Sequence, residues 1–111
     1  MKKFIVIYHA PTSVLAKWQK MSPEEHQKGM ADWMVWAKKC NSALIDMGAP
    51  LSNGQKLSKS GSSPSKKDVV GYSILQANSM DEAKKLLMNH PHLKQENGCE
   101  IEVYETMPHS M

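Results

Sequence analysis

Five histidines are the residues of this 111-residue chain with the most versatile chemistry, because imidazole changes its charge near neutral pH. They are His9, His26, His90, His92 and His109. His26 follows the cap of a predicted helix, where it could act as a general acid or base or be an ordinary half-exposed helix residue. His90 and His92 flank Pro91 at a predicted helix end, where they could enter one cleft or complement the helix dipole.

A metal site is a weaker interpretation of the same residues. No histidine pair has the helical spacing of a metal motif, and Cys40 and Cys99 form no CxxC pair. We expect no metal and no cofactor, so a metal-dependent activity ranks third among the functions considered. Cys40 is expected to be buried and inert, and Cys99 to lie in a turn. Without a disulfide framework, the expected compartment is the cytoplasm.

The charge pattern argues against a nucleic-acid partner. All 14 basic residues are lysine, none is arginine, and the net charge is only +3. Lysine cannot reproduce the guanidinium fork, so an arginine finger and a typical base-reading surface are excluded. The lysine pairs are scattered, which indicates solvated faces. We also expect no membrane partner, because no apolar run approaches the ~18 residues of a spanning helix.

Hydrophobic patterning predicts one domain over residues 1–111. The predicted elements are a strand over 3–9, a helix over 23–47, a weak polar strand over 50–58, a strand over 69–76, a helix that starts after Ser79 and ends before Pro91, and a strand over 101–107. Residues 10–21 are a predicted loop with room for a short helix over 14–18. Residues 58–67 are a predicted flexible loop.

The helices carry the clearest local signals. Ser22 is followed by Pro23 and then by Glu25, which is a capping box with proline at the first helical position. An apolar stripe then extends the predicted helix to residue 47, before Gly48. The stripe consists of Met30, Trp33, Ala37, Cys40, Leu44 and Met47. Ser79 and Glu82 form a second box.

The order β-α-β-β-α-β predicts an α+β, ferredoxin-like fold with a four-stranded antiparallel sheet and two helices. Two helices cover only one face of such a sheet, yet the strands over 3–9 and 69–76 are apolar on both faces. We therefore expect a homodimer that packs sheet against sheet. Core or interface packing accounts for Trp33 and Trp36. The candidate ligand-binding residues are His9, Trp33 and Tyr72.

Five segments resemble the YCII-related family, most closely its DGPF-type branch. The segments are residues 3–9, 44–51, 70–74, 89–93 and 101–108. The resemblance covers almost the whole chain and implies a single YCII-related domain. It also implies a dimeric α/β barrel of two ferredoxin-like subunits, with a small-molecule cleft near the dimer interface.

Relatives of the YCII type have a histidine early in the first helix and an aspartate in an Asp-Pro-aromatic motif. His26 matches that histidine, whereas His90 stands at the aspartate position and His92 at the aromatic one. Pro23 stands where relatives often have arginine. The resemblance thus implies a site in which the carboxylate that would orient His26 has been replaced.

Two functions of equal rank follow from these residues. The first is lyase-like acid–base chemistry on a small aromatic or ring-derived substrate, with His26 as the base and His90 or His92 as its partner. The alternative is a non-catalytic dimeric module that binds a small ligand or regulates a neighbour. Conversion of the bound ligand by the purified protein distinguishes the two.

Overall fold

Side chains of the first strand point alternately to the two faces of the sheet, and both faces receive apolar residues. Phe4, Val6 and Tyr8 are buried on one face, and Ile5 and Ile7 point to the other. The computed structural model describes residues 1–65, 68–94 and 98–107. In chain order the elements are β1 (Lys2–His9), α1 (Thr12–Gln19), α2 (Pro23–Cys40), β2 (Leu44–Asp46), β3 (Gln55–Ser58), β4 (Gly61–Pro64), β5 (Val69–Ala77), α3 (Met80–Leu87) and β6 (Glu100–Glu105).

Four strands form the main sheet in the order β2-β5-β1-β6, with every neighbouring pair antiparallel. The predicted ferredoxin-like α+β fold is confirmed. Within the described residues three α-helices accompany the sheet instead of two, because residues 12–19 form α1 where only a short helix over 14–18 was expected. The predicted capping box at Ser22 is confirmed, since Ser22 Oγ accepts from the amide of Glu25 and the Glu25 carboxylate accepts from the Ser22 amide. At the second helix Ser79 Oγ accepts from the amide of Glu82, but the Glu82 carboxylate accepts from the amide of Asn78, so only the serine half of the predicted box forms.

The core lies between the sheet and helices α2 and α3. It consists of Phe4, Val6, Tyr8, Trp36, Cys40, Leu75, Ala77, Ala83 and Leu87. Trp36 is anchored there, since its indole N–H donates to the carbonyl of Leu86 at 2.8 Å. Cys40 is buried as expected, and burial raises the pKa of its thiol.

The predicted helix over 23–47 is wrong beyond Cys40. Asn41 takes a positive φ of 51°, which stops the helix, and the Gln76 amide donates to the carbonyl of Ser42 at 2.8 Å. Leu44 then pairs with Leu75 in β2. The spacing of Leu44 fits a helix, but the free edge of β5 offers it strand partners instead. Met30, also placed on the stripe, is 56% exposed.

The strand predicted over 50–58 is also corrected, and so is the described part, 58–65, of the flexible loop predicted over 58–67, whose last two residues lie outside the described ranges. Residues 55–64 form a hairpin of β3 and β4 that lies outside the main sheet, whose fourth strand is β2. The hairpin register is Gln55 opposite Pro64 and Ser58 opposite Gly61. Serine-rich composition predicted flexibility, but Gly61, with φ of +128°, allows the tight turn that closes this ladder.

The second face of the sheet bears apolar side chains that no helix of the described residues covers. Ile5 is 39% exposed and Tyr104 is 54% exposed, and Ile7, Tyr72 and Ile74 are only partly buried. The prediction of a sheet with apolar side chains on both faces therefore holds for this subunit. Within the described residues, no helix is both long enough and apolar enough to cross a bilayer.

Candidate functional site

A cavity of about 380 Å³ lies between one end of the sheet, helices α1 and α2, and residues 47–50. Its walls are mainly aromatic rings and thioethers, from Tyr8, Trp18, Trp33, Met21, Met30 and Met47. Glu25, His26, Tyr72 and His92 also belong to the residues that line it. A cavity of this size, apolar with a few polar groups, is typical of a small-molecule site.

Tyr8 forms part of the wall as a fixed hydrogen-bond donor. Its hydroxyl lies 2.7 Å from Ser73 Oγ, and Ser73 Oγ donates its only hydrogen to the carbonyl of Met47 at 2.7 Å. Tyr8 must therefore donate to Ser73. Burial raises the pKa of the Tyr8 phenol well above its ordinary value. Tyr8 therefore stays protonated and neutral at physiological pH and does not act as a proton-transfer group.

Gly48 allows residues 47–50 to lie against β5 and close one side of the cavity. Its φ is +81°, and a Cβ at this position would lie 1.7 Å from the carbonyl oxygen of Tyr72. Asp46 Oδ1 accepts from the Gly48 amide at 2.8 Å, and the Leu51 amide donates to the carbonyl of Val70 at 2.9 Å. Only glycine fits this close approach.

His92 is a buried part of the cavity wall. Its Nε2 donates to the backbone carbonyl of His9 at 2.7 Å, which commits that proton. Burial lowers the pKa of the imidazole, although the carbonyls of His9 and Glu100 oppose this shift. His92 is therefore neutral near pH 7 and contributes a ring of fixed orientation.

His90 lies behind the wall and is not among the residues that line the cavity. Its ring centroid is 4.3 Å from that of Trp33 and 4.3 Å from that of Trp36. Nδ1 accepts from the amide of His92 at 3.0 Å, so neutral His90 carries its proton on Nε2. Nε2 has no hydrogen-bond partner in the described parts of the chain. Burial, followed by repulsion from His92, lowers the pKa of His90 to about 3.

His26 is the accessible imidazole at the cavity. It lies in the first turn of α2 and is exposed. The adjacent Glu25 carboxylate is engaged in the cap, where it accepts from the Ser22 amide at 3.3 Å and the Ser22 hydroxyl at 3.1 Å. No hydrogen bond or ion pair joins the His26 ring to another residue that the structure describes. Both of its nitrogens are therefore available to a ligand.

His9 lies on the opposite face of the sheet. Its Nδ1 is 3.1 Å from Asp68 Oδ1, and its Nε2 bonds the carboxylate of Glu102. The other oxygen of Glu102 accepts from the hydroxyl of Tyr104 at 2.7 Å. His9 thus ties the segment before β5 to β6, and its side chain does not line the cavity.

The structure therefore brings four of the six predicted site residues to one cavity: His26, His92, Trp33 and Tyr72. His9 and His90 lie outside its lining, and His109 is outside the described residues. Sequence interpretation missed Tyr8, Trp18 and the methionines as cavity residues. Tyr8 was recognisable only as an inward-facing strand residue. Among the described residues, no group of three or more histidine, cysteine or acidic side chains could hold a metal ion.

Comparison with known proteins identifies the family. The chain belongs to the YCII-related family, because the model of the YCII-related domain matches residues 1–107. Among solved structures it is similar in fold to 5-chloro-2-hydroxyhydroquinone dehydrochlorinase from Burkholderia phenoliruptrix AC1100, in complex with 2,5-dihydroxybenzoquinone. The two share 15% sequence identity with a TM-score of 0.51, over 90% of each chain. No curated protein matches the sequence significantly.

Proposed function

We propose that this protein is a homodimer whose cavity binds a planar, ring-shaped small molecule and supports lyase-like acid–base chemistry with His26 as the base. One observation carries the proposal: an apolar, aromatic-lined cavity of about 380 Å³ is bordered by an exposed imidazole with two free nitrogens. Imidazole is the side chain best suited to proton transfer at neutral pH.

The lining favours a flat ring over an aliphatic or highly charged ligand. The rings of Tyr8 and Trp33 lie 4.9 Å apart and nearly perpendicular, at 70°, so a planar ligand can meet one face and one edge. The methionines add polarisable contacts that adapt to ring substituents. The similar dehydrochlorinase structure holds a dihydroxybenzoquinone, which is a ligand of this shape.

The proposed step is an elimination from a keto tautomer of the bound ring, in which the carbon that carries the leaving group is saturated. His26 takes one proton from a ring hydroxyl, and the neighbouring ring double bond shifts towards that carbon. The electron pair of the broken bond forms a new double bond, and an anionic leaving group departs. The resulting imidazolium returns its proton to water, because His26 is exposed. His92 packs against the bound ring with a fixed orientation, since its Nε2–H donates to the His9 carbonyl and is not available for transfer. His90 supports the wall from behind and takes no part in the transfer.

Binding and turnover can be tested with one ligand series. Titration with 2,5-dihydroxybenzoquinone is expected to quench the fluorescence of Trp18 and Trp33, and chlorinated hydroxyhydroquinones are expected to release chloride. His26→Ala should keep the quenching and lower chloride release at least about 100-fold, as expected for loss of a general base. Gln27→Ala, on the same helix turn, is the matched control. Chloride release unchanged in His26→Ala would contradict the assignment.

A non-catalytic ligand-binding module is the second candidate. It is favoured by the absence of any hydrogen bond between His26 and a carboxylate among the described residues, so nothing orients the ring or stabilises its charged form. This candidate predicts saturable quenching with no conversion of any quenching ligand, as checked by chromatography of the mixture. Recovery of a new product would exclude it.

A further inference from the structure

The hairpin β3–β4 is exposed along its whole length. All eight strand residues are exposed, and the Leu57 side chain is 80% exposed. The hairpin leaves the main sheet at the start of β5, where the Leu51 amide donates to the carbonyl of Val70 at 2.9 Å. The Ser65 amide donates to the carbonyl of Gly54 at 2.8 Å and extends the ladder at its base.

The hydrogen bonds between its two strands are not enough to make such a hairpin stable. An isolated two-stranded ribbon is at best marginally stable in water, and neither face of this one is packed on the described residues of its own subunit. Its free edges would also be open to uncontrolled pairing. A regular ladder at residues 55–64 is therefore best accounted for by a surface outside the subunit that covers it.

Charge indicates which surface this is. Residues 50–65 contain Lys56 and Lys59 and no acidic residue. The N-terminal end of β6 carries Glu100 and Glu102, and Asp68 lies beside them through His9. Among the described residues, this end of β6 therefore has three carboxylates around one imidazole, and we call it the acidic end. β6 is also an edge strand, with one side unpaired within the main sheet.

We propose that the hairpin is an arm that docks on the acidic end of β6 in a second copy of this chain. The inference rests on the homodimer of the proposed function and specifies its contact. The arm and the acidic end lie at the same end of the sheet but towards opposite edges, β2 and β6. In a dimer whose sheets face each other across a two-fold axis parallel to the strands, the β2 edge of one sheet lies over the β6 edge of the other. The same end of each sheet then points in the same direction. Each arm then meets the partner's acidic end, twice per dimer.

Charge reversal tests this contact in the full chain. Lys56→Glu with Lys59→Glu is expected to raise the dimer dissociation constant roughly tenfold in low salt, because two symmetric contacts are lost. Adding Glu100→Lys should restore most of the affinity. The matched control, Lys28→Glu with Lys38→Glu on α2, makes the same change in net charge and should leave dissociation nearly unchanged. Sedimentation equilibrium measures all four proteins, and circular dichroism checks that each is folded.

The outcomes separate the two proposals. A wild-type protein that stays monomeric at high concentration would overturn the homodimer itself. A wild-type dimer that dissociates equally with the arm reversal and with the control would overturn only the arm. A photo-reactive benzophenone side chain at position 57 gives an independent result. Cross-linking to residues 100–105 in a dimer-sized product supports the arm, and cross-linking confined to single chains contradicts it.

Discussion

At the scale of single residues, His90 is a buried and neutral imidazole behind the cavity wall. Three aromatic rings surround it, with the centroid of Tyr8 at 4.9 Å and those of Trp33 and Trp36 closer still. Its Nε2–H lies among these rings without a conventional acceptor, which is suited to a weak N–H···π contact. At the position where the family resemblance implies a carboxylate, this chain therefore has a neutral imidazole, whose ring packs against Trp33.

Burial of His90 predicts an acid-dependent loss of stability. Its pKa is about 3 in the folded protein and 6.5 ordinarily, so below pH 6.5 the unfolded chain binds a proton that the folded protein does not. This contribution to stability is complete above pH 6.5 and is lost as the pH falls towards 3, by about 1.4 kcal/mol per pH unit. His92, whose pKa is also lowered, adds to the slope.

The variant His90→Phe should show a shallower dependence of unfolding free energy on pH between 6.5 and 4, since one titrating group is removed. Urea denaturation at several pH values measures this dependence. Gln27→Ala, on the exposed side of α2, serves as the control and should keep the wild-type slope. An unchanged slope in His90→Phe would show that the buried imidazole is not the group responsible.

At the scale of elements, the short segment between α2 and β5 creates the cavity. Helix α2 stops at Cys40, β2 follows, and residues 47–50 then run alongside β5 beside Tyr72. Had the helix continued to residue 47, this wall would not exist. The arrangement depends on Gly48, because its backbone approaches the Tyr72 carbonyl more closely than any side chain allows.

Gly48→Ala should lower the unfolding free energy by about 3 kcal/mol or more, through both the positive φ and the steric overlap. Gly29→Ala is the matched control: it sits inside α2, and a Cβ added there would meet no atom within 4 Å outside its own helix turn. That change should stabilise the protein by about 0.5–1 kcal/mol through helix propensity. Equal effects in urea denaturation would refute the packing role assigned to Gly48.

At the scale of the whole molecule, the uncovered sheet face is the feature that predicts self-association. Ile5, Ile74 and Tyr104 would lie at the centre of a sheet-to-sheet interface, and Ile45 at its border is 43% exposed. Large apolar faces of this kind mark interaction sites in soluble proteins. A second copy buries the same surface twice, which is the economical solution for a chain with one helical layer.

Light scattering should therefore give a dimer mass at micromolar concentration, and Ile5→Lys should give a monomer, because a desolvated lysine would face the partner. Met34→Lys is the control: Met34 is 46% exposed, similar to Ile5, but lies on α2. It should remain dimeric. A wild-type protein that is monomeric at these concentrations would contradict the two-faced-sheet interpretation.

The sequence alone determined the features that depend on neighbours along the chain. The capping serines Ser22 and Ser79 start their helices because each cap bond joins residues three positions apart. The apolar runs over 3–9 and 69–76 identified two strands with two apolar faces, and the structure places both at the centre of the sheet. Together these signals were sufficient for the ferredoxin-like order, and five segments of the sequence carried the family resemblance. His26 and His92 were recognised through their motif positions.

Only the tertiary structure decided features that depend on distant segments. The end of α2 was set by competition between helix propagation and the open edge of β5, which no local pattern reveals. The cavity combines Tyr8, His26, Met47, Tyr72 and His92 from five separate segments. His9 and His90 resembled the other histidines in sequence, yet one joins carboxylates across the sheet and the other is enclosed by aromatic rings. Desolvation and hydrogen bonding set the charge of an imidazole, and both depend on which atoms folding brings beside it.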